Sequence, residues 1–503
     1  MDTEQKPDAN DIPLVPEPAS TEASPDVLPE GPDREKRPAT RRNVIAAVFL
    51  SFLWPGLGHL LLKRRKAAAL FAVPAFAVAL LAIWQIVMDP LVFTASLADD
   101  SYFAAFDLIV IAFALWRVAA IAHALWIERR AVGRRFVESG VAVFLIVCIA
   151  ATHGLVAYAA WTVYDTTVAI QNNDFLDQAM GSPGASATAT ASPTATPTKP
   201  PQPTFASGVA EPTYPITSAR TAVPNPNRIT FLLIGVDFET GRSTGSTDTL
   251  MVVSVDTQTR AASIVSVPRD TAGFQLYWGP WVASNFKING LLASVYRGAT
   301  KSPDPPMTTL EKEVSFLVGI PINYYAAIDM DGFARMVDAM GGVDIYNVRA
   351  INDDVARITL PAGPAHLDGN MALRYVRSRE NGGSDYLRSS RQQQVLLSLE
   401  HKVVSAYGIA HFTTLMSLAG KIIQTDFPLK DAKDYVKLGQ TLSDTKQCVL
   451  SPPYSWHPDN STTHGFWTSR LDLTQVASLS VSLYGQDSAY YGQVGITPKP
   501  CQT

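Results

Sequence analysis
The chain has 503 residues, of which 17% are charged, and its formal net charge is −4. A balance this even leaves no global basic field to attract nucleic acid, and the length has room for a membrane module and one large soluble domain. No CxxC, HExxH, GxSxG or Walker motif occurs, which argues against zinc enzymes, serine hydrolases and P-loop NTPases.

Residues 1–42 are rich in Pro, Asp, Glu and Thr, lack apolar periodicity, and read as a disordered cytoplasmic tail. They also lack the apolar core of a cleavable signal peptide, so internal helices must direct insertion. Residues 43–166 read as a membrane module with four apolar segments, 43–62, 67–88, 103–127 and 139–163, each near the ~20 residues of a spanning helix. Arg41-Arg42, Lys63-Arg64-Arg65-Lys66 and Arg129-Arg130 with Arg134-Arg135 should all be cytoplasmic. Four simple spans would violate that rule. It holds if 43–62 is re-entrant or lies in the interface; Pro55-Gly56-Leu57-Gly58 at its midpoint favours a re-entrant hairpin, with 67–88, 103–127 and 139–163 as the spans. The chain then leaves the membrane outward after residue 163. Asp107, Arg117 and His123 inside the third segment either line a substrate path or meet neighbouring helices. Cys148 reads as membrane packing.

Residues 180–228 are rich in Ser, Thr, Pro and Ala and read as an extracellular tether. Fully extended, such a segment would reach roughly 150 Å, either toward a cell wall or as a passive spacer.

From residue 229 the pattern alternates. RITFLLIGVD, TLMVVSVD and AASIVSVP read as β-rich runs, the last two joined by the turn DTQTR. LEKEVSFLVGI and DGFARMVDAMGG read as helices ending at Gly. GGVDIYNV reads as a strand and SSRQQQVLLSLEHKVV as an amphipathic helix. The class is α/β, a sheet covered by helices, over 229–405. HFTTLMSLAGKIIQT and DAKDYVKLGQTL look helical and place 406–503 as an extension of the same domain, ending in a looser tail. Cys448 and Cys501 fall in the outer region, where a disulfide persists; one here would be worth roughly 4 kcal/mol in the loop-entropy model.

The chemistry lies in charged residues dispersed through this half. Asp237 (IGVD) and Asp248 (STDTLM) are two carboxylates able to hold a hard cation. Arg269 (SVPRD), Arg377, Arg379, Arg388 and Arg391 supply guanidinium forks for phosphate oxygens. If LRYVRSR is a strand, Arg377 and Arg379 share a face; Arg388, Arg391 and Gln392 share one face of a helix, with the Asn381-Gly382-Gly383 turn between. Together these are parts of a magnesium–pyrophosphate site. His366 (AHLDG) is a turn residue before a helix or a catalytic group. Lys287 and Asn289 (FKING) contact phosphate or cap a helix. Asp329 and Asp331 (IDMDGF) lack further calcium-ligand spacing, and a helix should start at Asp331.

The segments ITFLLIGVD, TDTLMVVSVDTQTRAASIVSVPRDT, KINGLLASVYRGA, DMDGFARMVDAMGGVDI, LPAGPAHLDGNMALRYVRSR and DYLRSSRQQQVL resemble the LytR-CpsA-Psr family of cell-envelope phosphotransferases in order and spacing, over roughly 229–405. The resemblance implies a domain with a central mixed sheet flanked by helices, with an apolar tunnel for a lipid tail. It implies transfer of a glycopolymer from a polyprenyl-pyrophosphate carrier to a cell-wall hydroxyl, usually a muramic acid hydroxyl of peptidoglycan. By matching position, Asp237 and Asp248 coordinate Mg²⁺ (or Mn²⁺), and Arg269, Arg377, Arg379, Arg388 and Gln392 bind pyrophosphate, with Asp237, Asp248, Arg269, Arg377 and Arg379 as the catalytic set. Ser246 occupies a slot that is usually arginine, and Arg242 in the same loop is the possible substitute. The expected protein is a multi-pass cell-membrane enzyme with its catalytic domain outside. The rivals are a polyprenyl-pyrophosphate hydrolase and a non-catalytic binder of the lipid carrier or wall polymer.

Overall fold
The computed structural model describes residues 41–129, 136–180, 224–238, 245–283, 285–379, 385–403, 411–457 and 467–501. The N-terminal tail up to residue 40, most of the 180–228 segment, the Asn381-Gly382-Gly383 turn and Arg242 lie outside these residues.

The apolar half is helical. Helix α1 (Arg41–Leu53) turns through Trp54-Pro55-Gly56 into the short α2 (Leu57–Leu61). Gly56 makes that hairpin possible: its φ is 97°, a conformation that side-chain-bearing residues rarely adopt. Three helices follow that are long and apolar enough to cross a membrane: α3 (Arg65–Met88), α5 (Asp100–Arg129) and α6 (Phe136–Gln171), with the short α4 (Pro90–Ser96) between the first two. Two polar residues of α5, Arg117 and His123, have local partners. The Arg117 guanidinium donates to the Phe52 carbonyl and lies 5.3 Å from the centre of the Phe52 ring, and His123 hydrogen-bonds His59 of α2 at 2.9 Å. Both tie α5 to the hairpin.

The soluble part is built on a six-stranded mixed sheet. Its strands are β1 (Arg228–Asp237), β2 (Ser246–Asp256), β3 (Ala261–Ser266), β4 (Tyr324–Asp329), β9 (Ile423–Thr425) and β10 (Asp444–Val449), in the order β10-β3-β2-β1-β4-β9. Pairs β1–β2, β2–β3 and β4–β9 are antiparallel; β1–β4 and β3–β10 are parallel. Strand alternation splits the layers. Leu232, Ile234, Val236, Leu250 and Val252 point into one core, shared with α8 (Leu291–Tyr296), α9 (Pro306–Val318) and α15 (Leu473–Tyr484). The other face lies under α10 (Met330–Ala339), α11 (Gly369–Arg377) and α12 (Asp385–Val403). Two small pairs, β5 (Val343–Asn347) with β8 (Gly363–Leu367) and β6 (Ile351–Asp353) with β7 (Ile358–Leu360), extend this layer.

Several local expectations change. LRYVRSR is the end of helix α11, not a strand. The Asp368 side chain accepts from Met371 N as its N-cap, and the buried positions Gly369, Ala372, Tyr375 and Val376 follow a helical period. His366 is on strand β8. Helix α10 starts one residue early, with Asp329 as its cap. The run expected to be helical through Thr425 ends at Ile422 in α13 (Phe412–Ile422) and continues as edge strand β9. The DAKDYVKLGQTL run is α14 (Ala432–Gln440). The expected loose tail contains β10, paired to β3, the short pair β11 (Ser455–Trp456) and β12 (Arg470–Leu471), and the buried α15. Cys448 and Cys501 form a disulfide with Cα atoms 5.7 Å apart, holding the end of the chain to β10.

The residues that lead into the 180–228 segment pack on the soluble part. Helix α6 has 36 residues, about 54 Å of helix against a hydrocarbon core of about 30 Å. Its last turns pack on the soluble part: Ile170 shares a buried cluster with Leu415, Ala419 and Ile422 of α13. A Cβ on Gly420 would stand only 3.1 Å from Thr166 and 3.2 Å from Ala169, so glycine permits the close approach. Asn173 Nδ2 donates to the carbonyls of Gly420 (3.3 Å) and Ile423 (3.0 Å), and Leu176 N donates to Gln424 Oε1 at 2.9 Å. Leu176 and Met180 of α7 (Phe175–Met180) then enter the same core as Leu232 and Ile234. Residues before and after the 180–228 segment therefore pack into one core. Replacing the fully buried Leu176 by alanine should lower the unfolding free energy of the soluble part by about 3 kcal/mol. Urea unfolding of the full-length protein, followed by tryptophan fluorescence, would measure this; a freely tethered domain would show no change.

Candidate active site
The site forms where β1 ends, β2 begins and the chain turns after β3. Asp237, the last residue of β1, lies opposite Ser246, the first of β2. Val236 pairs with Thr247 but Gly235 with Thr249, so Asp248 is the extra residue of a β-bulge, a device that re-aims a side chain beside a site. Asp248 is 6% exposed. Ser246 Oγ donates to its Oδ1 at 3.0 Å, and the Arg269 guanidinium bonds its Oδ2. The Ser246 side chain therefore orients the carboxylate next to it.

Helices α11 and α12 bring further cations to this edge. Arg377, at the end of α11, bonds Asp237 Oδ2 at 3.0 Å. Arg388, in α12 and only 3% exposed, donates to the backbone carbonyl of Asp248 at 3.0 Å. Arg379 Nη2 lies 3.2 Å from Asp270 Oδ2, while Lys287 Nζ bonds the other Asp270 oxygen at 2.6 Å. Asp270 is 1% exposed. Burial alone would raise its carboxyl, but the Lys287 ammonium, with Arg269 and Arg379, outweighs burial and holds it below the usual carboxylate range.

Not every expected residue reaches the cluster. Arg391 braces it from behind: its Nη1 donates to the Ser378 carbonyl at 2.9 Å and its guanidinium lies 5.4 Å from the centre of the Tyr375 ring. Gln392 turns to the opposite side, where it lines an apolar cavity and sits 3.5 Å from the Val376 carbonyl. Asn289 contributes backbone only: its N–H donates to the Arg269 carbonyl and its own carbonyl accepts from Thr247, both at 3.3 Å. His366 pairs with Asp344 on the β5–β8 ladder, and Asp329 caps α10. Two residues were missed. Asp270 was readable, since it adjoins Arg269 and three cations need a counter-charge. Asp353 carried no local signal. It is buried on β6 and accepts from Ser378 Oγ and Arg379 N, both at 2.8 Å, fixing the segment that carries Arg379.

The cavity beside Gln392 has a volume of about 260 Å³ and is almost wholly apolar. It lies between the sheet (Leu233, Met251) and the helices (Phe333, Leu396), and its wall includes Gly235 and Thr249, neighbours of the two aspartates. The chain thus joins a cluster of guanidinium groups to a greasy pocket, as an amphiphile with a phosphate head requires.

Residues 206–479 match the sequence model of the LytR_cpsA_psr family. Among curated proteins, the polyisoprenyl-teichoic acid–peptidoglycan teichoic acid transferase TagV of Bacillus subtilis is 31% identical over 267 residues, 52% of this chain and 59% of that one. The enzyme of the same type, TagU, of Enterococcus faecalis is 30% identical, covering 42% of this chain and 65% of that one. The cell wall biosynthesis protein LcpA of Corynebacterium glutamicum is 31% identical, covering 36% and 37%. The chain spans less than two thirds of the length of each of these relatives. The crystal structure of B. subtilis TagV superposes with a TM-score of 0.41 at 22% identity, covering 52% of this chain and 97% of that one.

Asp270→Asn should destabilise the soluble part by about 3 kcal/mol at neutral pH, because Lys287 and Arg379 lose a buried partner. The native carboxyl titrates below its unfolded value of about 3.9, so its contribution is complete above that pH and is lost as pH falls through the native value. Urea unfolding at pH 7 and pH 3 would show the gap between wild type and variant narrowing in acid.

Proposed function
We propose, on the premise that the chain belongs to the LytR_cpsA_psr family, that it is a membrane-anchored phosphotransferase moving a glycopolymer from a polyprenyl-pyrophosphate carrier to a cell-wall hydroxyl. The observation that supports this best is the guanidinium cluster at the wall of an apolar cavity, with membrane helices packed against the same domain.

In this reading the polyprenyl tail occupies the cavity, and the pyrophosphate exchanges places with the carboxylates on Arg269, Arg377 and Arg379, with Arg388 and Lys287 adding charge from the sides. The donor set fits a magnesium ion: two carboxylates on adjacent strands linked through Ser246, which suits a cation that takes one or two carboxylates and completes its shell with phosphate and water. Asp237 and Asp248 would hold it, and when bound it would neutralise pyrophosphate charge. The acceptor hydroxyl oxygen attacks the phosphorus that bears the glycopolymer. A new P–O bond forms, the phosphoanhydride P–O bond breaks, polyprenyl phosphate leaves with the bridging oxygen, and the hydroxyl proton is released to solvent. Such a transfer needs alignment and charge stabilisation more than covalent catalysis, and fixed guanidinium groups supply both.

The start of α3, with Lys63 to Lys66, and the end of α5 lie at the helix ends remote from the soluble part, which joins α4 and α6. With those ends cytoplasmic, the site faces outward and the α1–α2 hairpin is re-entrant. A single cysteine placed beside Gly56, at the exposed Leu57, should then resist labelling by an impermeant maleimide added outside cells; labelling from outside would sink the hairpin assignment.

The activity is tested with the full-length chain in lipid nanodiscs, since a fragment starting at residue 229 would lack the core residues Leu176 and Met180. Given a synthetic polyprenyl-pyrophosphoryl sugar, Mg²⁺ and a wall oligosaccharide, mass spectrometry should detect sugar phosphate joined to the oligosaccharide. Arg377→Ala should slow this by about 10²–10³-fold. Free sugar phosphate alone would mean a hydrolase; tight carrier binding without product would mean a binding protein.

A further inference from the structure
Trp456, on β11, and Trp467, three residues before β12, are 46% and 50% exposed. Among the described residues outside the membrane helices they are the only tryptophans so exposed. Indole in water is costly unless something covers it, and exposed aromatics gathered at one place mark a binding surface.

The pair borders the arginine cluster. Thr271 bridges in parallel to Ser469, Ala272 N donates to the Ser469 carbonyl at 2.8 Å, and Ser469 N donates to the Asp270 carbonyl at 2.9 Å. These contacts join the strand that follows Trp467 to the turn that follows Arg269. The His457 ring links the two elements: it lies 4.0 Å from the Trp467 ring and 5.5 Å from the Tyr386 ring, centre to centre. Tyr386 precedes Arg388 by two residues on α12 and hydrogen-bonds Ser455 at 2.8 Å. The Arg470 guanidinium lies 5.9 Å from the centre of the Trp456 ring, setting a hydrogen-bond donor beside an apolar plane.

Flat aromatic rings next to fixed donors match the two chemistries of a pyranose: a C–H face that stacks and hydroxyls that hydrogen-bond. Position narrows the choice of sugar. The apolar cavity lies over β1, β2, β4 and β9, whereas the tryptophans adjoin the turn after β3, on the other flank of the cluster. The leaving polyprenyl phosphate belongs on the cavity side, and in-line displacement brings the attacking hydroxyl from the opposite side. We propose that Trp456 and Trp467, with His457 and Arg470, form the acceptor subsite, which binds sugar rings of the wall glycan. This rests on the transferase reading, so its test begins with binding alone.

Full-length protein in nanodiscs, without donor, is titrated with an N-acetylglucosamine–N-acetylmuramic acid tetrasaccharide by calorimetry. The double variant Trp456→Ala/Trp467→Ala should bind about tenfold more weakly or worse, and Trp467→Phe alone should retain most of the affinity. In turnover the double variant should raise KM for the oligosaccharide while KM for the polyprenyl-pyrophosphoryl sugar stays put. Equal affinity of variant and wild type for the tetrasaccharide would overturn the proposal. So would a loss that appears only in KM for the donor, which would assign the tryptophans to the donor's glycan. Tryptophan-dependent glycan binding without turnover would keep the subsite and discard the transferase.

Discussion
Mutual repulsion among cations is the constraint on which the rest of this structure depends. Arg269, Arg377, Arg379, Arg388 and Lys287 meet at one end of one sheet, and Arg388 is almost wholly buried there. Like charges brought this close in a medium of reduced dielectric repel strongly. Asp237, Asp248 and Asp270 make the assembly tolerable, each holding at least one of the cations. The surplus of positive charge remains, and it is what makes the place receptive to a polyanion. Other features serve to hold these pairs. The bulge aims Asp248, Ser246 fixes its second oxygen, and Asp353 and Arg391 clamp the Ser378–Arg379 segment from behind.

Ser246 shows how one substitution can be absorbed. In the related pattern that slot holds an arginine, which would add a further cation. Here a hydroxyl at that position orients the Asp248 carboxylate instead. The remaining guanidiniums still outnumber the carboxylates, so binding capacity survives, while the charge surplus facing a ligand is smaller by one. This places the cost of the change on the strength of phosphate stabilisation, with little effect on the fold.

Much of this was legible in the chain. The strands β1 to β3 announce themselves by β-branched and aliphatic runs bounded by turn residues, and α9 and α10 end at Gly319 and at Gly341-Gly342, all with positive φ. The cations stood out because arginine recurs at fixed offsets. What failed was information that is not local. LRYVRSR is rich in strand-forming residues, yet the Asp368 cap and the buried spacing at Ala372, Tyr375 and Val376 decide for helix; tertiary burial overrides propensity. Asp353 lies 25 residues from Ser378, and no spacing rule connects them. Strand β10 is recruited to the edge of β3 from a stretch, DTKQCV, whose alternation is weak. The proline-rich segment at 180–228 has the composition of a tether, but composition says nothing about whether its two flanks share a core.

That shared core changes what the membrane helices do mechanically. A domain on a long flexible leash samples a wide volume, and a lipid-linked substrate would have to leave the bilayer to meet it. Here α6 continues from its apolar stretch into the contact with α13, and α13 leads directly into β9, whose Ile423 lines the apolar cavity. A second seam joins Gln440 of α14 to Asp89 at the head of α4, at 3.3 Å. Two seams on different helices restrain rotation as well as translation. Under the proposed function, the cavity beside these seams would let a polyprenyl chain pass from bilayer to protein without crossing open water. Exposing a long isoprenoid to water costs roughly 0.8 kcal/mol per methylene equivalent, so a path that avoids this exposure removes a barrier far larger than any single arginine contact contributes. In that proposal the same rigidity would leave the acceptor as the partner that comes to the protein. An exposed aromatic platform on the flank away from the lipid is where a polymer arriving from outside would first be held.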